Sequence, residues 1–150
     1  MQGERHPDRT VLAIGGSDAR GFLQGLVTND VGGLDHGPVY AALLTPQGKY
    51  LADFLLVPDG ERVLLDIATP LAADLYKRLS MYKLRADVTI AETGLNVLRG
   101  LGHPPEGAVS DPRHEALGWR LYTEAEGRAP EVDWDAIRVR HCVPEAGIEL

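Results

Sequence analysis

The chain has few of the residues that mark specialised classes of protein. Its 150 residues include one cysteine, two methionines, two tryptophans and two phenylalanines. A single cysteine, Cys142, excludes an intramolecular disulfide. The five histidines are scattered, so neither they nor Cys142 form a pattern of closely spaced zinc ligands. The sequence therefore predicts neither a disulfide scaffold nor a metal site.

Basic clusters and long apolar segments are also missing. The net charge is −7, and the 15 lysines and arginines are dispersed, which argues against nucleic-acid partners. No apolar run approaches the length needed to cross a membrane, and Met1 to Arg9 is polar rather than typical of a signal peptide. These observations predict no nucleic-acid or membrane partner, and residence in the cytoplasm.

What the chain does contain is a pattern of short strands broken by turns. A hydrophobic fraction of 44% and this length allow one domain, or two small lobes packed together. Antiparallel hairpins mixed with crossing helices predict an α+β fold, with a first lobe over 1–92 and a second over 93–150. The predicted strands are Thr10 to Ile14, Val39 to Thr45, Tyr50 to Val57, Arg62 to Ala68, Ala86 to Ala91, Asn96 to Leu101 and Trp119 to Glu124.

Three helices are predicted between these strands. Ser17 is placed to cap the first helix, which has Leu23 on its apolar face. Thr69-Pro70 begins the second, since proline favours the first helical turn. The third runs from Val132 to Cys142, which places Cys142 as a small buried residue.

The two hairpins bring charged residues onto one sheet face. If Asp59-Gly60 forms a two-residue turn, Asp53 lies opposite Asp66. If Gln47-Gly48 closes the preceding hairpin, Ala42 lies opposite Asp53 and Tyr40 is one diagonal step away. Two carboxylates and a phenol would then meet on a partly apolar surface, an arrangement that costs energy and so suggests a function.

An alternative stays open for this pair. A single bulge or a loop of odd length would turn Asp66 to the opposite face, because side chains alternate along a strand. Asp66 would then be an ordinary acid on the sheet surface.

Three segments, in this order, carry a family resemblance. They are Leu23 to Val31 (LQGLVTNDV), Tyr40 to Lys49 (YAALLTPQGK) and Met81 to Val88 (MYKLRADV). Together they resemble the first half of the folate-binding YgfZ/GcvT-like family. The family includes glycine-cleavage aminomethyltransferases and non-enzymatic relatives that maintain iron–sulfur clusters. The turn after Pro46 and the third segment look closer to the YgfZ branch.

The resemblance implies which residues contact folate. Tyr40 matches a tyrosine of the family, and Asp53 matches the second acid of a pair whose first member is replaced here by Ala52. Asp66 is the best local match for a polar residue that contacts the pterin. The segment Thr28-Asn29-Asp30 has the composition of a turn, and the resemblance implies that it also shapes the folate cavity.

Three functions follow as expectations. The first is a tetrahydrofolate-binding accessory protein that supports assembly or repair of iron–sulfur clusters, with iron–sulfur client proteins as partners. The second is a folate-dependent aminomethyltransferase, which retention of Asp53 keeps open and Ala52 weighs against. The third is a scaffold that binds proteins and no ligand.

The resemblance also implies a segment that this sequence does not contain. In the YgfZ branch, a Lys-Gly-Cys-Tyr-x-Gly-Gln-Glu signature follows a segment similar to Arg138 to Ile148, whereas this sequence ends at Leu150. We therefore expect a second lobe that is cut short and an incomplete folate cavity.

Overall fold

Residues 3–144 are described by a computed structural model. The strands in this range are β1 (Glu4–Arg5), β2 (Arg9–Gly15), β3 (Val39–Leu44), β4 (Tyr50–Asp59), β5 (Arg62–Ala68), β6 (Thr89–Glu92), β7 (Asn96–Gly100), β8 (Val109–Ser110) and β9 (Trp119–Thr123). The α-helices are α1 (Ala19–Gln24), α2 (Thr69–Tyr82) and α3 (Trp134–Arg140), and short 3-10 helices span Val31–Asp35 and Glu115–Leu117.

The strands form two antiparallel sheets. The first has five strands in the order β3-β4-β5-β2-β6, and the second has four in the order β1-β7-β9-β8. The predicted α+β class, with antiparallel hairpins and packing helices, is confirmed. The chain passes from the first sheet to the second between Glu92 and Asn96.

The division into lobes at 1–92 and 93–150 stays a prediction about domain organisation. The change of sheet falls near that boundary, but β1 comes from the start of the chain and pairs with β7 of the second sheet. The end of the predicted second lobe, 145–150, lies outside the described residues.

The five-stranded sheet is the middle layer of the molecule. Leu12, Phe54 and Leu65 lie on one of its faces and pack against α1 and α2, whose apolar residues include Leu23 and Leu75. The opposite face packs against the second sheet through a smaller apolar cluster, which consists of Val11, Ala13, Val57, Leu64 and Val97. Burial on both faces explains why the middle strands are almost continuously apolar.

The three predicted helices are present at the expected positions, but the residues at some of their ends differ from the prediction. Proline lies in the first turn of α2, as expected. Ser17 does not cap α1: its hydroxyl donates to the Asp87 carboxylate at 2.7 Å, and Asp18 occupies the cap position. The third helix ends at Arg140, so Cys142 follows it and is exposed rather than buried. Val143 takes the buried position instead.

The register of the β4–β5 hairpin differs from the prediction. Asp59 pairs with Arg62, so the turn residues are Gly60-Glu61, and Leu55 rather than Asp53 lies opposite Asp66. A turn that moves by one residue shifts the pairing by two, which leaves every side chain on its predicted face. Asp53 and Asp66 therefore share a face as predicted, but they are diagonal neighbours.

The β3–β4 register is confirmed where the site requires it. Ala42 pairs with Asp53, and Tyr40 pairs with Leu55. The hairpin loop is longer than predicted, and an irregularity between Leu43 and Leu44 restores the expected register further along the strands. Within residues 3–144, no helix is long and apolar enough to cross a membrane.

Candidate functional site

The predicted contact between Tyr40 and Asp53 exists. The Tyr40 hydroxyl donates a hydrogen bond to Asp53 Oδ2 across the β3–β4 pair. Both side chains are half-buried, on the face of the five-stranded sheet that turns toward the second sheet. The contact places an ionisable pair at a point that solvent can still reach.

A second tyrosine, Tyr50, donates to the other oxygen of the same carboxylate. Its hydroxyl lies 2.8 Å from Asp53 Oδ1. Residues three apart on a regular strand face opposite ways, so strand alternation excludes this contact. The irregularity in the β3–β4 pairing, where Leu43 pairs with Ala52 but Leu44 pairs with Tyr50, leaves Leu51 as an extra residue. This bulge turns Tyr50 toward Asp53 and Leu51 toward the helix-covered core.

The environment of Asp53 keeps both phenols protonated. Burial raises the pKa of Tyr40, and the hydrogen bond to Asp53 and its negative charge raise it further. The same three causes raise the pKa of Tyr50. Each phenol therefore remains a hydrogen-bond donor throughout the neutral range.

A groove opens beside Tyr40. It encloses about 450 Å³ and is lined by Asn29, Asp30, Gly33, Pro38, Val39, Tyr40, Pro112 and Arg113. A narrower cleft of about 10 Å³, room for roughly one water molecule, adjoins Asp53 and is also lined by Tyr40 and Arg113. The two spaces share these two residues, so the acidic cluster lies at one end of the groove.

The turn predicted to shape this cavity forms the rim of the groove. Thr28 bonds the edge strand β3 from the outside, with its amide donating to the Ala42 carbonyl at 3.0 Å. The Asn29 side-chain amide donates to the Tyr40 carbonyl at 3.0 Å, and Asp30 caps the following 3-10 helix. These bonds fix the backbone that carries Tyr40.

Arg113 closes the groove from the second sheet's side. Its guanidinium donates to both carboxylate oxygens of Asp111, at 3.0 and 2.7 Å. Asp111 is buried; burial raises its pKa, but the bonds and charge of Arg113 outweigh this effect and lower it. Asp111 thus stays charged and holds Arg113 against the groove, where the arginine's charge opposes the rise in the Tyr40 pKa.

Asp66 does not reach the groove. Its carboxylate is fully buried and accepts bonds from Arg9 at 2.6 Å, Arg120 at 2.6 Å and Tyr122 at 2.6 Å. The predicted meeting of Tyr40, Asp53 and Asp66 is corrected: the first two touch, and the third lies beneath them in a separate ionic cluster. Strand β9 supplies Arg120 and Tyr122, so these contacts join the two sheets. No local sequence pattern predicts such contacts.

The Asp66 cluster holds the two sheets together. Burial raises the pKa of Asp66, but the charges of Arg120 and Arg9 and the bond from Tyr122 outweigh that effect and hold the pKa well below its usual range. Arg9 also lines the cleft at Asp53. Asp66 therefore contributes to the candidate site indirectly, because it fixes Arg9.

Sequence reasoning missed three residues of the site: Tyr50, Arg9 and Arg113. Tyr50 carried a signal, since it begins the strand that holds Asp53, but only a bulge brings the two together. The arginines had no sequence signal that separated them from ordinary surface cations. Among the described residues, no group of three or more histidine, cysteine or acidic side chains is arranged to hold a metal ion.

Comparison with known proteins gives relatives of one kind. No family model matches the chain. It is 33% identical over 151 residues to the human protein named iron–sulfur cluster assembly factor IBA57, mitochondrial, with 81% of this chain and 42% of that protein covered. The Mycosarcoma maydis homologue is 35% identical over 137 residues, with coverages of 76% and 34%. The Pyricularia oryzae homologue is 28% identical over 148 residues, with coverages of 85% and 37%.

A solved structure shares the fold. The glycine cleavage system aminomethyltransferase T from Bartonella henselae superposes with a TM-score of 0.56 at 20% identity, over 61% of this chain and 26% of that one. The chain spans about two fifths of the length of the curated relatives that it matches. These sequence relatives and this fold confirm the resemblance found from the three motif segments.

The same relatives correct the predicted location. Cytoplasmic residence was expected by default, from the lack of a membrane span and of a signal-like first segment. That expectation is wrong, because the relatives are named as mitochondrial proteins. Composition and apolar runs carry no information that separates these two compartments.

Proposed function

We propose that this chain, which resembles the YgfZ-related branch of the GcvT-like family, is a tetrahydrofolate-binding accessory protein that supports iron–sulfur cluster assembly or repair. The observation that carries the proposal is the cluster in which Tyr40 and Tyr50 both donate to Asp53 at the end of a groove. The relatives named as iron–sulfur cluster assembly factors support the biological role.

The chemistry of the cluster fits a pterin. The edge of a pterin carries an amino group and ring N–H groups, which are donors that a carboxylate accepts well. Asp53 has one lone pair on each oxygen engaged by a phenol and further lone pairs free. The cluster can therefore bind donors from a ligand without losing its internal bonds.

The groove has room for such a ligand. Its volume of about 450 Å³ falls in the range of roughly 300 to 1,000 Å³ typical of small-molecule sites. Pro38 and Pro112 give it apolar walls for a flat ring, and Arg113, which lines both the groove and the cleft at Asp53, supplies a positive charge. Tetrahydrofolate combines a flat donor-rich head with an anionic tail, and Asp53 and Arg113 offer a complement to these two parts.

Each residue has a defined task in this proposal. Tyr40 and Asp53 bind the ligand head, Tyr50 and the Asn29 turn hold those two in place, and Asp66 anchors the neighbouring Arg9. Bound tetrahydrofolate would supply the capacity to carry a one-carbon unit on its reduced ring nitrogens. The protein's own groups orient the ligand and exclude water from one of its edges.

The aminomethyltransferase alternative rests on the retained Asp53 and on the shared fold. Ala52 argues against it. This residue, which replaces the family's first acid, is 4% exposed and lies in the apolar core beneath α1 and α2. A single acid at the groove can bind a ligand, but the chain lacks the paired acids of the transferases at this position.

The proposal is tested by calorimetric titration with tetrahydrofolate of this chain and of a longer form that spans the full length of the relatives it matches. We expect binding that Asp53→Asn weakens by about ten- to a hundredfold, since hydrogen bonds to a charged group contribute about 1.5–3 kcal/mol. Asp59→Asn is the matched control, because Asp59 is an exposed acid on the same strand that pairs with Arg62 at the hairpin. Equal affinity of Asp53→Asn and the unchanged chain would contradict the proposed site.

The same preparation separates the two functions. An accessory protein binds tetrahydrofolate but does not turn over an aminomethyl group presented on a lipoyl carrier. Methylenetetrahydrofolate and ammonia would appear if the chain were a transferase, and their formation would overturn the accessory role while leaving the folate site intact.

A further inference from the structure

We propose that the outer edge of β6 docks an extended, acidic segment of a partner protein, which adds to the five-stranded sheet as a sixth strand. In this sheet β6 lies at one end and β3 at the other, so the surface is at the opposite edge from the groove beside Tyr40. The inference therefore goes beyond the proposed function and does not depend on it.

The backbone of β6 directs hydrogen-bonding groups away from the sheet. In the part of the chain that the structure describes, β6 pairs with β2 alone. The Thr93 amide donates to the Val11 carbonyl at 3.1 Å, and such bonded pairs alternate along an antiparallel ladder with pairs that exchange no bonds. Ala91 therefore bonds to β2, whereas Ile90 and Glu92 direct their N–H and C=O groups to the outer edge.

The other edge of the same sheet is occupied by a turn. At β3, the Thr28 amide donates to the Ala42 carbonyl, the Ala42 amide donates to the Thr28 hydroxyl, and the Asn29 side chain donates to the Tyr40 carbonyl. An edge strand without such cover is a template for another strand. The four residues of β6 include neither proline nor lysine, which commonly block this pairing.

A groove beside β6 can accept the side chains of an added strand. It encloses about 330 Å³ and is lined by Ala73 and Tyr76 of α2 and by Glu92 of β6. Near the other end of the strand, Lys83 Nζ donates to the Val88 carbonyl at 3.1 Å, directly before β6. The helix therefore runs alongside β6, and every second side chain of an added strand would contact it.

The charges around this edge favour an acidic segment. Four of the 15 lysines and arginines lie within 77–85, a stretch without an acidic residue, although the net charge of the chain is −7. Lys77 is exposed and lies on the same side of α2 as Ala73, four residues earlier, and Arg85 is exposed in the turn that leads to β6. Complementary charge steers association and selects among partners.

The outward backbone groups decide between a protein segment and an anionic lipid surface. Exposed apolar residues near the end of α2, Met81 at 59% and Leu84 at 85%, would suit either partner, as would the cations. Only an extended polypeptide, however, offers a row of N–H and C=O groups to match those of Ile90 and Glu92. Addition of a strand to a sheet edge is a recurrent mode of peptide recognition.

The probe is a short fluorescein-labelled peptide in which valine and threonine alternate and glutamates follow. Its binding is measured by fluorescence anisotropy at low salt, on this chain and on a longer form that spans the full length of the relatives. Both forms should bind this peptide more tightly than a peptide with lysines in place of the glutamates. Added salt should weaken the binding, because the attraction between exposed charges is screened.

Two substitutions at Glu92 isolate the backbone contribution. Glu92→Pro removes an outward N–H and should weaken peptide binding by about tenfold or more, since the ring also blocks the approach of a strand. Glu92→Ala keeps the N–H and removes a like charge, so it should bind at least as tightly as the unchanged chain. Because the lost N–H points away from β2, the two variants should unfold at similar free energies.

A second pair of variants tests the charge. Arg85→Gln should weaken peptide binding by about threefold, the size expected of an exposed ion pair. Lys49→Gln is the matched control, since Lys49 is an exposed cation between β3 and β4, toward the other edge of the sheet. It should leave the affinity unchanged.

Amide hydrogen exchange gives a readout that side-chain docking alone would not move. In the free chain, the amide hydrogen of Ala91 should exchange slowly, whereas those of Ile90 and Glu92 should exchange quickly. The peptide should slow exchange at Ile90 and Glu92.

Each other occupant of this edge gives a distinct result that would overturn the proposal. Binding by this chain but not by the longer form would show that the rest of the protein covers β6. A dimer that forms without peptide and is lost in Glu92→Pro would identify a second copy of the chain. Binding to phosphatidylglycerol vesicles but not to the peptide would assign the surface to a membrane. Equal affinities of Glu92→Pro and Glu92→Ala, or of the two peptides, would rule out a sixth strand of acidic character.

Discussion

For Asp66, the sequence predicts the correct face of the sheet but the wrong role. The sequence pattern put it on the same face as Asp53, and the structure agrees. Its partners, however, are Arg120 and Tyr122 on the second sheet, more than fifty residues away in the chain. A buried carboxylate with charged partners is structural unless a ligand can reach it.

Removal of the Asp66 charge should destabilise the fold strongly. Asp66→Asn removes the nearer counter-ion of the buried Arg120 guanidinium and leaves only Asp111, at 3.8 Å, among its described carboxylate partners. Breaking a buried pair costs about 3–5 kcal/mol. The free energy of unfolding in urea measures this loss. Asp59→Asn, which breaks an exposed pair, should cost less than about 1 kcal/mol. Similar losses for the two variants would contradict the structural role.

His6 should make stability depend on pH. Burial and the charges of Arg120, Arg99 and Arg9 lower the pKa of His6 to about 2. Because the unfolded chain keeps the ordinary value near 6.5, it binds the proton more readily. Stability is therefore complete above about pH 6.5 and falls below it, by at most about 1.4 kcal/mol per pH unit.

The measurement is the free energy of unfolding between pH 7 and about 5.5, above the range in which the carboxyl groups of the unfolded chain take up protons. His6→Gln should reduce the slope of the free energy of unfolding against pH. The control substitution His103→Gln, at an exposed position, should leave that slope unchanged. An unchanged slope in His6→Gln would show that His6 is protonated as easily in the folded chain as in the unfolded one.

At the scale of elements, turns and bulges decide which residues meet. The β4–β5 turn lies one residue later than predicted, and the Leu51 bulge moves Tyr50 to the site. The turn after β2 is equally specific: Gly16 has a φ of +99°, and its Cα lies against the backbone just before β6. The turns of this molecule therefore determine which residues come into contact, in addition to connecting the strands.

Substitution of Gly16 should reveal this close approach. A Cβ at Gly16 would lie 2.1 Å from the Asp87 carbonyl oxygen, in addition to the strain of its positive φ. Gly48 has a similar φ of +84° and open space around it, so Gly48→Ala isolates the backbone strain of about 1–2 kcal/mol. We expect Gly16→Ala to lower the free energy of unfolding by clearly more than Gly48→Ala. Equal losses of unfolding free energy in the two variants would mean that the backbone near Asp87 moves aside at little cost.

At the scale of the whole molecule, two sheets share one interface. A small apolar cluster and the Asp66–Arg120 pair lie between them, and α1 and α2 cover the first sheet's other face. Both tryptophans, Trp119 in β9 and Trp134 in α3, lie on the side of the second sheet. Tryptophan fluorescence therefore reports on unfolding of the second sheet, whereas circular dichroism reports on unfolding of both sheets.

The interface should make unfolding cooperative. In the unchanged chain, the thermal transitions followed by fluorescence and by far-ultraviolet circular dichroism should coincide. Arg120→Met removes the charge that joins the sheets, so the fluorescence transition should move to lower temperature than the dichroism transition. Two transitions that move together would show that the remaining contacts, which include the apolar cluster and the Tyr122–Asp66 hydrogen bond, are sufficient to couple the sheets.

The fold class and the first half of the site could be predicted because they depend on local patterns. Strand alternation placed Tyr40 and Asp53 on one face, and turn residues located both hairpins within one or two positions. The motif segments then pointed to a family that the relatives confirm. The compartment could not be predicted, since nothing in the composition distinguishes it.

The sequence by itself therefore determined the seven longer strands, the positions of the three helices, the shared face and the Tyr40–Asp53 contact, because each follows from spacing along one element or two neighbouring strands. Only the tertiary structure decided that Tyr50 turns toward Asp53, that Arg113 closes the groove and that Asp66 is buried beneath it. The first needs a bulge, and the others need a second sheet to pack on the first. Such contacts depend on free energies that are summed over the whole molecule, and no short segment encodes them.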